Sequence, residues 1–122
     1  MTVKIYGIKN CDTMKKAFDW LSENGIAYDF HNYKTDGIHT ATLKKWSKAI
    51  GWEKLVNKTG TTFRALPDAD KVDLTEARAL NLMKANPSLI RRPVIEAGGK
   101  VFAGFKPGSP ERAALEAAAL KG

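Results

Sequence analysis

Hydrophobic and polar positions change period several times along the chain. Val3-Lys4-Ile5-Tyr6 alternates in β-favouring residues and predicts a strand, which Gly7-Ile8-Lys9-Asn10 breaks. After Cys11 the period becomes helical. Met14, Ala17, Phe18 and Leu21 fall on one face, Gly25 is placed to end the helix, and Asn10 or Asp12 can accept from the free first-turn amides. Ala27 to Tyr33 alternates again and predicts a second strand. Strand, helix and strand in this order make a βαβ unit with a parallel pair.

The middle reads as helical. Leu43, Trp46, Ala49 and Ile50 share a face, with Gly51 as the stop. Asp73-Leu74-Thr75-Glu76 fits a capping box, followed by an apolar stripe of Leu74, Ala77, Leu80, Leu82 and Met83 that Asn86-Pro87 ends. Between these helices, Asn57 to Arg64 and Leu66 to Asp70 read as polar loop. The remainder returns to strand: Arg92 to Glu96, a Gly98-Gly99 hairpin turn, and Lys100 to Gly104. Ser109-Pro110-Glu111 opens a last helix, with Ser as N-cap and Pro at the first helical position.

Composition narrows the class. The chain has 122 residues, a length suited to a single domain. It holds no run of about 18 apolar residues to span a membrane. Its opening lacks the apolar stretch of roughly 7–15 residues found in a signal peptide. One Cys cannot form an internal disulfide, and one Cys with two His does not make a zinc site, so no metal is expected. A reducing cytoplasm is the expected compartment. The net charge of +7 invites an anionic ligand or partner. The excess is even, with 10 basic and 6 acidic residues up to Lys58 and 10 and 7 beyond it, so no nucleic-acid-binding arm stands out. His31 and His39 read as a strand-end residue and a loop residue.

The chemistry concentrates at Cys11. A cysteine that follows a strand and opens a helix meets free backbone N–H groups and the positive end of the helix dipole, which favour thiolate over thiol. Lys9, Lys15 and Lys16 add positive charge nearby. The thiolate is the nucleophile, so the position predicts a reactive sulfur. A second feature is Arg92-Pro93, where a strand starts at proline and a cis bond would fit, turning backbone groups toward the first βα loop.

These residues carry a resemblance. Strand, cysteine at a helix start, βαβ, then proline before a ββα ending is similar to the thioredoxin/glutaredoxin layout. Asn10-Cys11-Asp12-Thr13-Met14-Lys15-Lys16-Ala17, Asn57 to Thr61, Asn86 to Pro93 and Gly104-Phe105-Lys106 together resemble the arsenate reductase-related (ArsC/Spx) family, and within it the YffB-type branch. The resemblance covers essentially the whole chain. It implies an α/β, thioredoxin-like (glutaredoxin-type) three-layer fold, with a mixed sheet of about four strands and an inserted helical segment, about 39–88, before a cis-proline at Pro93. All of 1–122 then forms one domain.

The resemblance also implies site roles. Cys11 matches the nucleophile, and Arg92 matches the arginine before the cis-proline that holds an oxyanion or steadies the thiolate. Two further family arginines correspond to Lys106 and Asn57. The family's His upstream of the nucleophile is Gly7, and its Cys-x-x-Ser-Arg pattern reads Met14 and Lys15 here. The second cysteine of the Spx redox switch is also Met14. Lys9, Lys15 and Thr13 are further thiolate- or ligand-stabilising candidates, and Thr61 a ligand-contacting one. With one thiol, turnover needs another from outside. The expectation is a glutathione-dependent monothiol oxidoreductase in which Cys11 forms a mixed disulfide with an oxidised protein or small molecule. No cofactor is bound on this reading; glutathione is co-substrate, resolved directly or through glutaredoxin. The alternatives are an arsenate reductase-like oxyanion reductase and a Spx-like regulator that binds a protein such as RNA polymerase without catalysis.

Overall fold

The computed structural model describes residues 3–9, 11–58, 60–72, 74–106 and 108–121. The chain divides into two compact units, one of residues 1–36 and 92–122, the other of residues 37–91. The stretch read as an inserted helical segment lies inside the second unit.

The first unit is built on a four-stranded sheet of order β2-β1-β3-β4. Its strands are β1 (Val3–Gly7), β2 (Tyr28–Asn32), β3 (Val94–Ala97) and β4 (Lys100–Ala103). β1 and β2 are parallel, with Ile5 beside Phe30, and the crossover between them is α1 (Asp12–Glu23). β3 runs antiparallel to β1, with Ile5 beside Ile95, and β4 antiparallel to β3. Gly98 and Gly99 both take positive φ in the turn joining β3 to β4, as a two-residue hairpin requires. The Arg92–Pro93 bond is cis. The closing helix (Pro110–Lys121) starts as its sequence dictates: Ser109 Oγ accepts from the Arg112 amide at 3.1 Å.

One face of the sheet carries the core. Val3, Ile5, Ile95, Ala97 and Phe102 meet Met14, Ala17 and Leu21 of α1, Phe105, and Leu115 of the closing helix. This mixed α/β sheet with flanking helices is the thioredoxin-like arrangement expected. The other face holds the polar exceptions. The Tyr6 hydroxyl donates to Glu96 Oε1 at 2.9 Å, and the Tyr6 ring lies 5.2 Å from that of His31.

Boundaries differ from the periodic reading where polar side chains decide. Cys11 is itself the N-cap of α1 and makes no side-chain cap bond, so Asp12 is the first helical residue and not the cap. Asn10, the other capping candidate, lies outside the described residues. Tyr33 leaves the second strand to begin a helical turn, α2 (Tyr33–Asp36).

The second unit is helical. The long helices α3 (Thr40–Ile50) and α7 (Glu76–Ala85) flank the short turns α4 (Trp52–Leu55), α5 (Thr61–Arg64) and α6 (Asp68–Lys71). Two of those turns, α5 and α6, occupy the stretch read as polar loop. Leu43 and Trp46 of α3 are fully buried, whereas Ala49, placed by period on the same face, is exposed. In α7 the buried stripe is Ala79, Leu80 and Met83, while Ala77 is exposed. The cap of α7 is Thr75, whose Oγ1 accepts from the Arg78 amide at 3.3 Å; Asp73 lies outside the described residues. His39 lies in the loop between α2 and α3, as expected, and is the N-cap residue of α3, though its side chain makes no cap bond. Ser47 Oγ donates to Glu76 Oε2 at 2.7 Å and ties the two long helices together. The last helix of the closed series in the first unit, Pro110–Lys121, is α8.

Candidate active site

β1 ends at Gly7, and the chain needs only Ile8 to Asn10 to reach the head of α1. Ile8 is buried and Lys9 exposed. Cys11 adopts extended backbone, φ −130° and ψ 132°, and its carbonyl accepts from the Lys15 amide at 3.0 Å. The sulfur-bearing residue therefore opens the helix, where amides of the first turn have no intrahelical acceptor. Cys11 is half-buried and packs against the core beneath the sheet.

A cavity of about 450 Å³ opens on Cys11, lined also by Lys9, Asp12, Lys15 and Phe18. Three sequence candidates, Lys9, Cys11 and Lys15, are thus brought together. Two lining residues were missed. Asp12 adds one carboxylate to the two ammonium groups. Phe18 falls on the core-facing period of α1; it is half-buried, 5.4 Å from the ring of Tyr28 and edge-on to Phe30 at 5.0 Å. A helix residue between core and solvent can serve both, and period alone does not separate the two.

The other candidates lie outside that lining. Thr13 is half-buried in the first turn of α1, and Lys106 is exposed after the buried Phe105. Arg92 is half-buried ahead of the buried Pro93. Asn57 and Thr61 belong to the second unit. The Asn57 amide donates to the Leu89 carbonyl at 2.7 Å, and Thr61 lines a separate cavity of about 470 Å³ with Thr62, Leu66 and Asn86. Among the described residues no group of three or more His, Cys, Asp or Glu could hold a metal. No helix among them is long and apolar enough to cross a membrane.

Two tyrosines on the polar side of the first unit are perturbed. Burial, the hydrogen bond to Glu96 and the charge of that carboxylate all push Tyr6 above the ordinary tyrosine range. Tyr33 is 1% exposed, and its hydroxyl has no hydrogen-bond partner among the described residues. Burial pushes it well above the ordinary range, Tyr6 adds to the shift, and the Arg92 guanidinium opposes it.

Fold and site define a thioredoxin-like α/β protein with one thiol at the head of its first crossover helix. The chain belongs to the ArsC family, whose pattern it matches over residues 6–113. An uncharacterized protein of Haemophilus influenzae is 43% identical over 103 residues, covering 84% of this chain and 90% of the relative. The global transcriptional regulator Spx of Streptococcus mutans is 29% identical over 105 residues, covering 84% and 76%. Among solved structures, a YffB protein superposes with a TM-score of 0.87 at 52% identity, covering 97% of this chain and 98% of that one. An arsenate reductase-related protein from Brucella melitensis gives 0.74 at 50% identity, covering 96% and 93%. The proteins similar to this chain thus include one named arsenate reductase-related and one named a transcriptional regulator.

Proposed function

We propose that this protein is a monothiol oxidoreductase that uses glutathione as co-substrate. The observation that carries the reading is the position of Cys11, the N-cap residue of α1 with no side-chain cap bond, in a cavity lined also by Lys9 and Lys15. The thiolate is the nucleophile in disulfide exchange. The thiolate attacks one sulfur of an oxidised substrate R–S–S–R′, a disulfide bond from Cys11 Sγ to that sulfur forms, the substrate's S–S bond breaks, and R′S⁻ leaves. Glutathione thiolate then attacks the R-bearing sulfur, Cys11 leaves as thiolate, and a second glutathione thiolate splits R–S–SG into RS⁻ and oxidised glutathione. Lys9 and Lys15 receive the carboxylates of the tripeptide, and Asp12 its ammonium. Arg92, Lys106 and Thr13 stabilise the thiolate. Cytoplasmic glutathione and an oxidised protein or small molecule supply the chemistry, and no bound cofactor enters it.

A cavity of this volume suits a peptide thiol better than a bare tetrahedral oxyanion. Lysine at 15 and 106 offers point charges where a bidentate fork would suit arsenate. A second reading, a regulator that docks on a protein partner, draws support from the likeness to Spx. The test is glutathione-dependent reduction of a small-molecule disulfide. Turnover is expected in wild type, loss in Cys11→Ser, and at least a tenfold fall in Arg92→Ala. Turnover that persists in Cys11→Ser, or none in wild type, overturns the reading. Turnover with arsenate that vanishes in Arg92→Ala favours the reductase alternative.

A further inference from the structure

Lys15 and Phe18 stand four and seven positions on from Cys11, so the three fall on one side of α1. The cavity of about 450 Å³ bears out that alignment, since all three line it together with Lys9 and Asp12. By the rise of a helix, Phe18 lies about 10 Å along the axis from Cys11. Helix side chains lean back toward the N-terminus, which shortens the gap between ring and sulfur. The Phe18 ring stacks on Tyr28, with 5.4 Å between centres and 21° between planes, and meets Phe30 edge-on at 5.0 Å. Tyr28 and Phe30 are alternate residues of β2, so they share one face of that strand. Phe18 is still only half-buried, which leaves part of its ring for a ligand in the cavity to cover. The lining thus combines an aromatic ring with two lysines and a carboxylate.

We propose that Phe18 is the specificity-determining residue of the Cys11 cavity and selects disulfides that carry an aromatic group a short spacer away from the reacting sulfur. The inference rests on the monothiol reading above and names its substrate class. Glutathione has carboxylates and an ammonium for the charged lining and no ring for Phe18. Exchange takes two ligands in turn, the oxidised substrate and then glutathione, so the aromatic wall falls to the substrate. Cys11 Sγ bonds to the sulfur bearing the aromatic group, the substrate's S–S bond breaks, and the other half leaves as thiolate. The retained ring then lies against Phe18. Glutathione thiolate attacks the ring-bearing sulfur and frees Cys11, and a second glutathione releases the aromatic thiol and becomes oxidised glutathione. A ring–ring contact adds about a two- to tenfold preference beyond the area it covers.

The experiment compares two symmetrical disulfides in the glutathione-dependent assay, bis(carboxyphenylethyl) disulfide and dithiodipropionate. Both carry carboxylates and a two-carbon link at sulfur, and they differ by the ring. Wild type is expected to favour the aromatic disulfide in kcat/KM. Phe18→Leu keeps an apolar side chain and loses the ring; it is expected to lower that preference by about threefold or more. Phe18→Tyr keeps the ring and is expected to hold the preference within about twofold of wild type. The ratio cancels any change in folding or thiol reactivity that acts on both substrates alike. Circular dichroism checks the fold, and Phe18→Met takes the place of the leucine variant if that one does not fold. A wild type without preference, or a ratio in the folded leucine or methionine variant within error of wild type, overturns the inference and leaves the monothiol reading standing. A ratio that falls as far in Phe18→Tyr as in Phe18→Leu overturns it too, because the ring is then not what selects. Turnover of neither disulfide by wild type sinks the monothiol reading and this inference with it.

Discussion

The Tyr6 hydroxyl and the Glu96 carboxylate meet at 2.9 Å, joining two strands that lie ninety residues apart in sequence. In the β1–β3 register Glu96 stands opposite Lys4 and Val94 opposite Tyr6, so the bond runs diagonally across the pair. It fixes the pairing of the first strand with the strand that follows Pro93. Tyr6→Phe removes the donor and leaves the ring. It is expected to cost about 1–3 kcal/mol, since the acceptor is a half-buried carboxylate. Urea unfolding measures it. A cost within error of zero would show that the bond adds nothing to the pairing.

The raised tyrosines set the alkaline limit of stability. A phenol held neutral in the folded state keeps its proton when the unfolded chain, at the ordinary tyrosine value of about 10, has begun to lose it. The folded state then binds more protons than the unfolded one, and stability falls as pH rises. Tyr33 and Tyr6 therefore contribute nothing to pH dependence near neutrality and a downward slope above about pH 10, near 1.4 kcal/mol per pH unit for each group. Chemical unfolding across pH 9–11 should show a shallower decline in Tyr33→Phe than in wild type. Parallel declines would mean that Tyr33 titrates alike in both states.

Cys11 occupies a position that serine fills better. It begins α1 without a side-chain cap bond, and a serine hydroxyl would accept one from the first turn. Cys11→Ser is expected to abolish thiol chemistry while raising stability by about 0.5–1 kcal/mol, or a few degrees in Tm. A variant that unfolds earlier than wild type would assign the sulfur a packing role in the core.

Arg112 anchors the closing helix. Its guanidinium lies 3.8 Å from the centre of the Phe105 ring and 5.5 Å from that of Trp20, with Nε 3.1 Å from Glu116 Oε1. Arg112→Lys keeps the charge and loses the flat face that stacks on the rings. It is expected to cost about 1–2 kcal/mol by thermal unfolding. Arg112→Leu should cost no less if the charge contributes. A leucine variant as stable as wild type would reduce the contact to simple burial.

Where side chains alternate or repeat strongly, the sequence was readable. Val3 and Ile5 announce β1, Met14, Ala17 and Leu21 the inner face of α1, and Gly98-Gly99 the hairpin, because each pattern has one way to bury its apolar side. The four-residue turns α5 and α6 escaped because one helical turn carries no period. Alanine misled twice. Ala49 and Ala77 are exposed and Ala79 is buried, since a single methyl gives too little burial to fix a face. At the site, Cys11 and its lysine neighbours were legible from their place between strand and helix. Phe18 was hidden by its dual position.

The strand order β2-β1-β3-β4 has a consequence for synthesis on the ribosome. β1 emerges before its second neighbour, β3, which follows only after every residue of the helical unit has been made. Until then one flank of β1 offers unpaired amides and carbonyls beside Val3 and Ile5, an invitation to pair with another nascent chain. Translation that stalls within the helical unit leaves that flank open, and release of the chain past Ala103 closes it.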